Sequence, residues 1–124
     1  MYNILICDDE KDIVSALKIY LEAEGYRTFA AYNGREALAI IRAQEIHLVL
    51  MDIMMPEMDG IQATGIIRAM KRPDAATVPI IAMTANAYPE DSMRARNYGM
   101  NEHLPKPISQ QKLIETVLKV LSKN

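Results

Sequence analysis

The feature that most constrains this chain is an unbroken apolar run that stops at a carboxylate. Leu48, Val49, Leu50 and Met51 have strand length, and Asp52 follows at once. A run of this kind suits a strand buried on both faces, as in the middle of a parallel sheet. Pro56 lacks an N–H and disfavours helix at Met55, and Asp59-Gly60 is a turn signal, so the chain leaves the strand abruptly. Asp52 is therefore expected at the carboxyl end of a core strand, facing the crevice where open α/β sheets bind ligands. A carboxylate there is costly unless something pairs with it.

The rest of the chain repeats the same grammar. Asn3 to Cys7 is a second apolar run ending in Asp8, Asp9 and Glu10. Lys11 to Glu24 then carries Ile13, Leu17, Tyr20 and Leu21 at a helical period, and Gly25 supplies the stop. Arg27 to Ala31 is strand-like and Asn33-Gly34 is a turn. Arg35 to Gln44 is helical, with Ala37, Leu38 and Ile41 on one face. A helix from about Ile61 to Met70 is expected to pack on Ile66, Ile67 and Met70, and Lys71 to Thr77, with Pro73, reads as a loop. Val78 to Met83 is a further buried strand ending at Thr84, Ala85 and Asn86. Glu90 to Tyr98 reads as a less apolar helix closed by Gly99, and Glu102 to Leu104 as a short final strand. Ser109 can cap a last helix bearing Leu113, Val117, Val120 and Leu121. Strands alternating with helices over short connections predict a parallel sheet with helices on both faces.

A chain of 124 residues fits one domain over 1–124, with no linker, repeat or low-complexity tract. The net charge of -2 offers no basic excess with which this chain alone would bind nucleic acid. Its one cysteine, Cys7, excludes an internal disulfide and fits a reducing compartment. No apolar run approaches membrane-spanning length, and the start turns acidic too soon for a signal peptide, so a cytoplasmic location is expected.

Polar residues collect after four of the strands: Asp8 and Asp9, then Asp52, then Thr84, then Lys106. Singly each has an ordinary explanation, since Asp and Thr cap helices and a lysine is usually a solvated charge. In a doubly wound sheet, however, all of these ends share one rim. Two unit charges about 4 Å apart repel by roughly 4 kcal/mol at an effective dielectric near 20, so three carboxylates need a cation. Lys106 is one candidate. A hard divalent cation that favours oxygen ligands, with magnesium the expected ion, is the other. A carboxylate with such neighbours can accept a phosphoryl group, a reaction governed by positioning and charge stabilisation.

On these residues the chain resembles, over its whole length, the receiver domain of two-component response regulators. The matching pieces are Asp8-Asp9, Asp52 with the MPEMDG segment that ends at Gly60, Thr84-Ala85 and Lys106-Pro107. The resemblance implies a flavodoxin-like, doubly wound five-stranded parallel sheet of order 2-1-3-4-5 with five helices. It implies a switch, not a conventional enzyme, in which Asp52 takes a phosphoryl group from a phosphohistidine of a sensor histidine kinase or phosphotransfer protein. Asp9 and Asp52 would bind Mg²⁺ through their carboxylates, Met54 through its carbonyl, and Asp8 mainly through a metal-bound water. Lys106 would pair with the phosphoryl oxygens, and Thr84 would hydrogen-bond one of them, with small Ala85 leaving room. Pro107 stands where the family usually has a cis peptide.

The family commonly has Tyr or Phe three residues before the lysine as a rotamer switch, where this chain has His103. Met54 and Asn86 occupy positions that influence phosphoryl hydrolysis, and apolar Met54 suggests a long-lived phospho-state. The implied output surface is the fourth helix, last strand and last helix around Tyr98, His103 and Lys112, which can also serve a homodimer. Three other readings compete. A degenerate receiver acting as a constitutive interaction module would not need the full acidic and lysine set. An aspartyl-nucleophile phosphatase normally wants a second Asp where Met54 stands. A flavin carrier would use a Ser/Thr/Gly-rich loop in place of Asp8-Asp9-Glu10.

Overall fold

The computed structural model describes residues 1–85 and 96–122. Five strands, β1 (Asn3–Cys7), β2 (Arg27–Ala31), β3 (Leu48–Asp52), β4 (Ile80–Thr84) and β5 (Glu102–Pro105), form one sheet. Their order is β2-β1-β3-β4-β5, and every neighbouring pair is parallel, as a flavodoxin-like fold requires. The described helices are α1 (Lys11–Ala23), α2 (Gly34–Ala43), α3 (Gly60–Arg68), the single turn α4 (Pro73–Ala76) and α5 (Gln110–Ser122). Most of the helix expected over Glu90 to Tyr98 lies outside the described residues, although Arg96 and Asn97 are helical.

Alternation along the strands divides the core into two layers. Ile4, Ile6, Leu48, Leu50, Ile81 and Met83 pack with α1 and α5 on one face. Leu5, Cys7, Val49, Met51, Ile80 and Ala82 pack with α2 and α3 on the other. Because side chains alternate with a period of two, Asp8 and Asp52 continue the phase of the α1–α5 face. β3 is buried from end to end, Asp52 included.

Helix boundaries follow their caps. Asn33 accepts the Glu36 N–H at 2.9 Å and starts α2, and Ser109 accepts the Lys112 N–H at 3.1 Å and starts α5. Asp59 and Gln62 form a reciprocal capping box at α3, with bonds of 2.8 and 3.0 Å. The expected inner faces of α2 and α5 are buried. In α3 the buried residues are Gly60, Ala63, Thr64 and Ile67; Ile66 is exposed, and Met70, just beyond the helix, packs against the core as expected. The helix begins at Gly60, whose Cα lies against the Asp52 carbonyl and the Met51 side chain at the end of β3. Val14 in α1, unremarked by periodicity, is buried beside Leu17 and Leu21. The stretch expected as a loop contains α4, with Pro73 in its first turn.

Arg68 fastens the opposite end of the sheet. It donates to the Val78 carbonyl at 2.6 Å, the Gly99 carbonyl at 2.9 Å and Asn101 Oδ1 at 2.9 Å. Asn101 Oδ1 also accepts the Ile80 N–H, so one guanidinium sets the starts of β4 and β5 together.

Two glycines of α3 have opposite expected effects. A Cβ at Gly60 would strike the Asp52 carbonyl oxygen and lie 2.8 Å from Met51 Cγ, whereas one at Gly65 meets nothing within 4 Å. Gly60→Ala is expected to lose about 1–3 kcal/mol in urea unfolding through overpacking. Gly65→Ala should gain about 1 kcal/mol from helix propensity.

Candidate functional site

Parallel register brings the polar strand ends to one rim. Cys7 is level with Met51 and Asp52 with Met83, so Asp8 and Asp52 emerge side by side from adjacent strands. Thr84 is level with Pro105, and its carbonyl accepts the Lys106 N–H at 2.7 Å. Lys106 thus leaves β5 tied to the end of β4, and the peptide bond that follows it, Lys106–Pro107, is cis.

At the centre lies one ammonium among carboxylates. Lys106 Nζ is 2.8 Å from Asp8 Oδ2, 3.4 Å from Asp52 Oδ2 and 3.8 Å from Glu10 Oε1. Asp8 is fully buried and Asp52 is 3% exposed. Each has one oxygen fixed by the backbone two residues on: Asp8 Oδ1 accepts the Glu10 N–H at 2.9 Å, and Asp52 Oδ1 accepts the Met54 N–H at 3.0 Å. The aligned hydrogen bond from Lys106 goes to Asp52. Its contact with Asp8 Oδ2 is an ion pair without hydrogen-bond alignment, which leaves that buried oxygen with no hydrogen bond.

The environment pushes the titrating groups in the directions this geometry requires. Burial raises Asp52 from 3.8 to about 6; the Asp8 charge adds to the rise, while the Met54 N–H and Lys106 oppose it. Burial would lower Lys106, but the pairing with Asp8 and the charge of Asp52 outweigh it and raise this lysine. Cys7, just beneath the rim, is pushed up to about 12 by burial and by Asp8 and Asp52, which makes it an inert thiol.

Asp8, Asp9 and Asp52 each offer an oxygen, and these lie within 4.8 Å of one another. An all-oxygen set of two buried carboxylates and one exposed one fits a hard divalent cation that keeps several waters. Asp9 is exposed, leaving a solvent-facing approach.

The structure joins Asp8, Asp9, Asp52 and Lys106 directly and Thr84 through the backbone. Ala85 is exposed and shares a cavity of about 510 Å³ with Lys106, Glu10, Ile13, Tyr20 and Pro107. Met54 is 72% exposed. His103 lies apart, half-buried in β5, and lines a separate recess of about 330 Å³ with Glu102, Lys112 and Lys119. Asn86 lies outside the described residues. Glu10, which sequence reasoning gave no role, is the added finding; its only signal was its place directly after the acid pair.

Comparison with known proteins agrees with this geometry. The sequence model of the response regulator receiver domain family matches residues 4–118. A 14.6 kDa protein of Leptolyngbya boryana is 38% identical over 115 residues, which cover 93% of this chain and 86% of that protein. The response regulator SaeR of Staphylococcus aureus is 33% identical over 123 residues, 99% of this chain, and the chain spans only 52% of that protein's length. A chemotaxis response regulator of Vibrio cholerae superposes with a TM-score of 0.91 at 28% identity, covering 98% of this chain and 99% of that one. The receiver domain of a Pseudomonas aeruginosa sensor histidine kinase, solved with a magnesium ion in its active site cleft, gives 0.88 at 31% identity over 98% of each chain.

The raised Asp52 makes a stability prediction. Between pH 3.8 and about 6 the folded chain binds more protons at Asp52 than the unfolded chain, so its ionisation destabilises the fold as pH rises through that window. With divalent ions chelated, Asp52→Asn should be about 1–3 kcal/mol more stable than the parent at pH 7.5, as denaturant unfolding would read. That advantage should vanish towards pH 4. A variant no more stable than the parent at pH 7.5 would show that Asp52 is not strained.

Proposed function

The chain belongs to the response regulator receiver domain family, and on that premise we propose that it is a phosphorylation-dependent switch with Asp52 as phosphoacceptor. The observation that supports this most is the sharing of one ammonium by two buried carboxylates at adjacent strand ends. Such an arrangement places a constrained oxygen nucleophile beside a cation that can be re-directed to a new anion.

An Asp52 carboxylate oxygen attacks the phosphorus of a phosphohistidine; the P–N bond breaks, the donor leaves as histidine and an acyl phosphate forms. Asp8, Asp9 and Asp52 would hold Mg²⁺, with the Met54 carbonyl as a further ligand. The bound ion would supply positive charge to the phosphoryl oxygens. Lys106 transfers its Nζ from the carboxylates to a phosphoryl oxygen, a charge-assisted bond. Thr84, buried at the end of β4, donates its hydroxyl to another, with exposed Ala85 leaving space beside it. Because Lys106 N–H is bonded to the Thr84 carbonyl, the two groups answer as a unit. A complete reversal of a two-state equilibrium takes about 5.5 kcal/mol, to which these bonds contribute.

We read residues 1–124 as one receiver unit that acts as a switch rather than as a conventional enzyme. Its donor is a sensor histidine kinase or a phosphotransfer protein. Its output face runs through Tyr98, β5 at His103 and α5 at Lys112, where a homodimer could also form. His103, half-buried there, takes the place of the aromatic switch. Exposed Met54 cannot orient an attacking water, which favours a long-lived phospho-state, and Asn86 would share that tuning. Among the described residues no helix is long and apolar enough to cross a membrane, which suits a cytoplasmic partner.

Intact-mass spectrometry after incubation with acetyl phosphate tests this reading. One phosphoryl adduct is expected with Mg²⁺, at least tenfold less after chelation, and none in Asp52→Asn. Folded protein that takes no adduct from acetyl phosphate or phosphoramidate would instead be a constitutive interaction module.

A further inference from the structure

Glu10 occupies the N-cap of α1, yet its side chain makes no capping hydrogen bond. Its backbone is firmly held: the N–H donates to Asp8 Oδ1, and the carbonyl accepts from Ile13 and Val14. The carboxylate is thereby left to turn inward, where Oε1 stands 3.8 Å from Lys106 Nζ. It is 64% exposed, whereas Lys106 is 18% exposed and the other two carboxylates around that lysine are buried. Of the three anions sharing the ammonium, Glu10 is therefore the solvent-exposed one. It also stands at the mouth of the cavity that Lys106, Ala85 and Pro107 line.

From this we infer that Glu10 is a positioning residue that restrains phosphorylation, by competing with the incoming phosphoryl group for Lys106. The inference rests on the reading of Asp52 as phosphoacceptor. Before transfer, Lys106 bridges three carboxylates. To meet a phosphoryl oxygen it must leave at least one of them. Glu10 draws the ammonium towards solvent and presents its own negative charge to an anionic donor. Both effects slow the loading of Asp52. A half-solvated pair of this kind has the weight of an exposed ion pair, so removing it should change the rate by about two- to fivefold. Salt should erode the effect, because solvent-exposed charges are screened within about 10 Å at 0.1 M ionic strength.

The test is the initial rate of adduct formation at saturating Mg²⁺ for the parent, Glu10→Gln, Glu10→Asp and Asp12→Asn. Asp12 lines the same cavity from the first turn of α1 and controls for a general loss of negative charge. Glu10→Gln should load about two to five times faster than the parent with acetyl phosphate at low salt. The gain should shrink at high salt and be smaller with phosphoramidate, the less negatively charged donor. Glu10→Asp should stay closer to the parent, and Asp12→Asn should change the rate less than Glu10→Gln. A purely structural role for Glu10 would produce neither the salt dependence nor the donor dependence. If the parent loads and Glu10→Gln is no faster, or Asp12→Asn is equally fast, the competition is refuted while the switch stands. If neither the parent nor Glu10→Gln loads with either donor, both readings fall.

Discussion

The structure depends on a charge imbalance at the carboxyl rim of its sheet. Asp8, Asp52 and Glu10 surround the ammonium of Lys106, and Asp9 adds a fourth carboxylate nearby. Ionised, these four and one lysine leave a local charge of three negatives. Burial magnifies the cost for Asp52, whose carboxyl titrates near 6. The rim therefore favours any cation, and it favours a change that lets Lys106 serve one strong anion instead of several weak ones. Holding this arrangement is the work of the elements beneath it. β1 and β3 must be adjacent, α3 must approach β3 closely at Gly60, and β4 must stay tied to β5.

Much of this was legible in the sequence because it follows from short-range rules. The apolar runs at Ile4 and Leu48 located the central strands, and the carboxylates ending them located the rim. Period-two alternation assigns Asp8 and Asp52 to one face without any coordinates. Ser109 announces the last helix by its cap chemistry, whereas Asn33 and Asp59, read as turn residues, prove to cap α2 and α3. Strand order is another matter: periodicity gives the layers, and only the family resemblance supplied the order that the sheet adopts.

What was not legible depends on distances between elements. The buried face of α3 is made of Gly60, Ala63, Thr64 and Ile67, and the close approach of Gly60 to the end of β3 is a distance that hydrophobicity does not encode. The turn at Pro73 was hidden because the same proline also suits a loop. Arg68, which no local rule singles out, donates to four carbonyl and amide oxygens from separate segments. Glu10 escaped notice because nothing local marks it: its partner lies 96 positions further along the chain. The chain spans only about half the length of SaeR.

The central claim is that the rim needs a divalent cation, and a calorimetric Mg²⁺ titration at neutral pH tests it most directly. One saturable site is expected in the parent chain, and Asp9→Asn, which keeps the two buried carboxylates, should weaken it by at least tenfold. Thermal stability should rise with Mg²⁺ in the parent as binding to the folded state alone requires, and much less in the variant. No saturable binding, or binding that Asp9→Asn leaves unchanged, would contradict the assignment of these carboxylates to a metal.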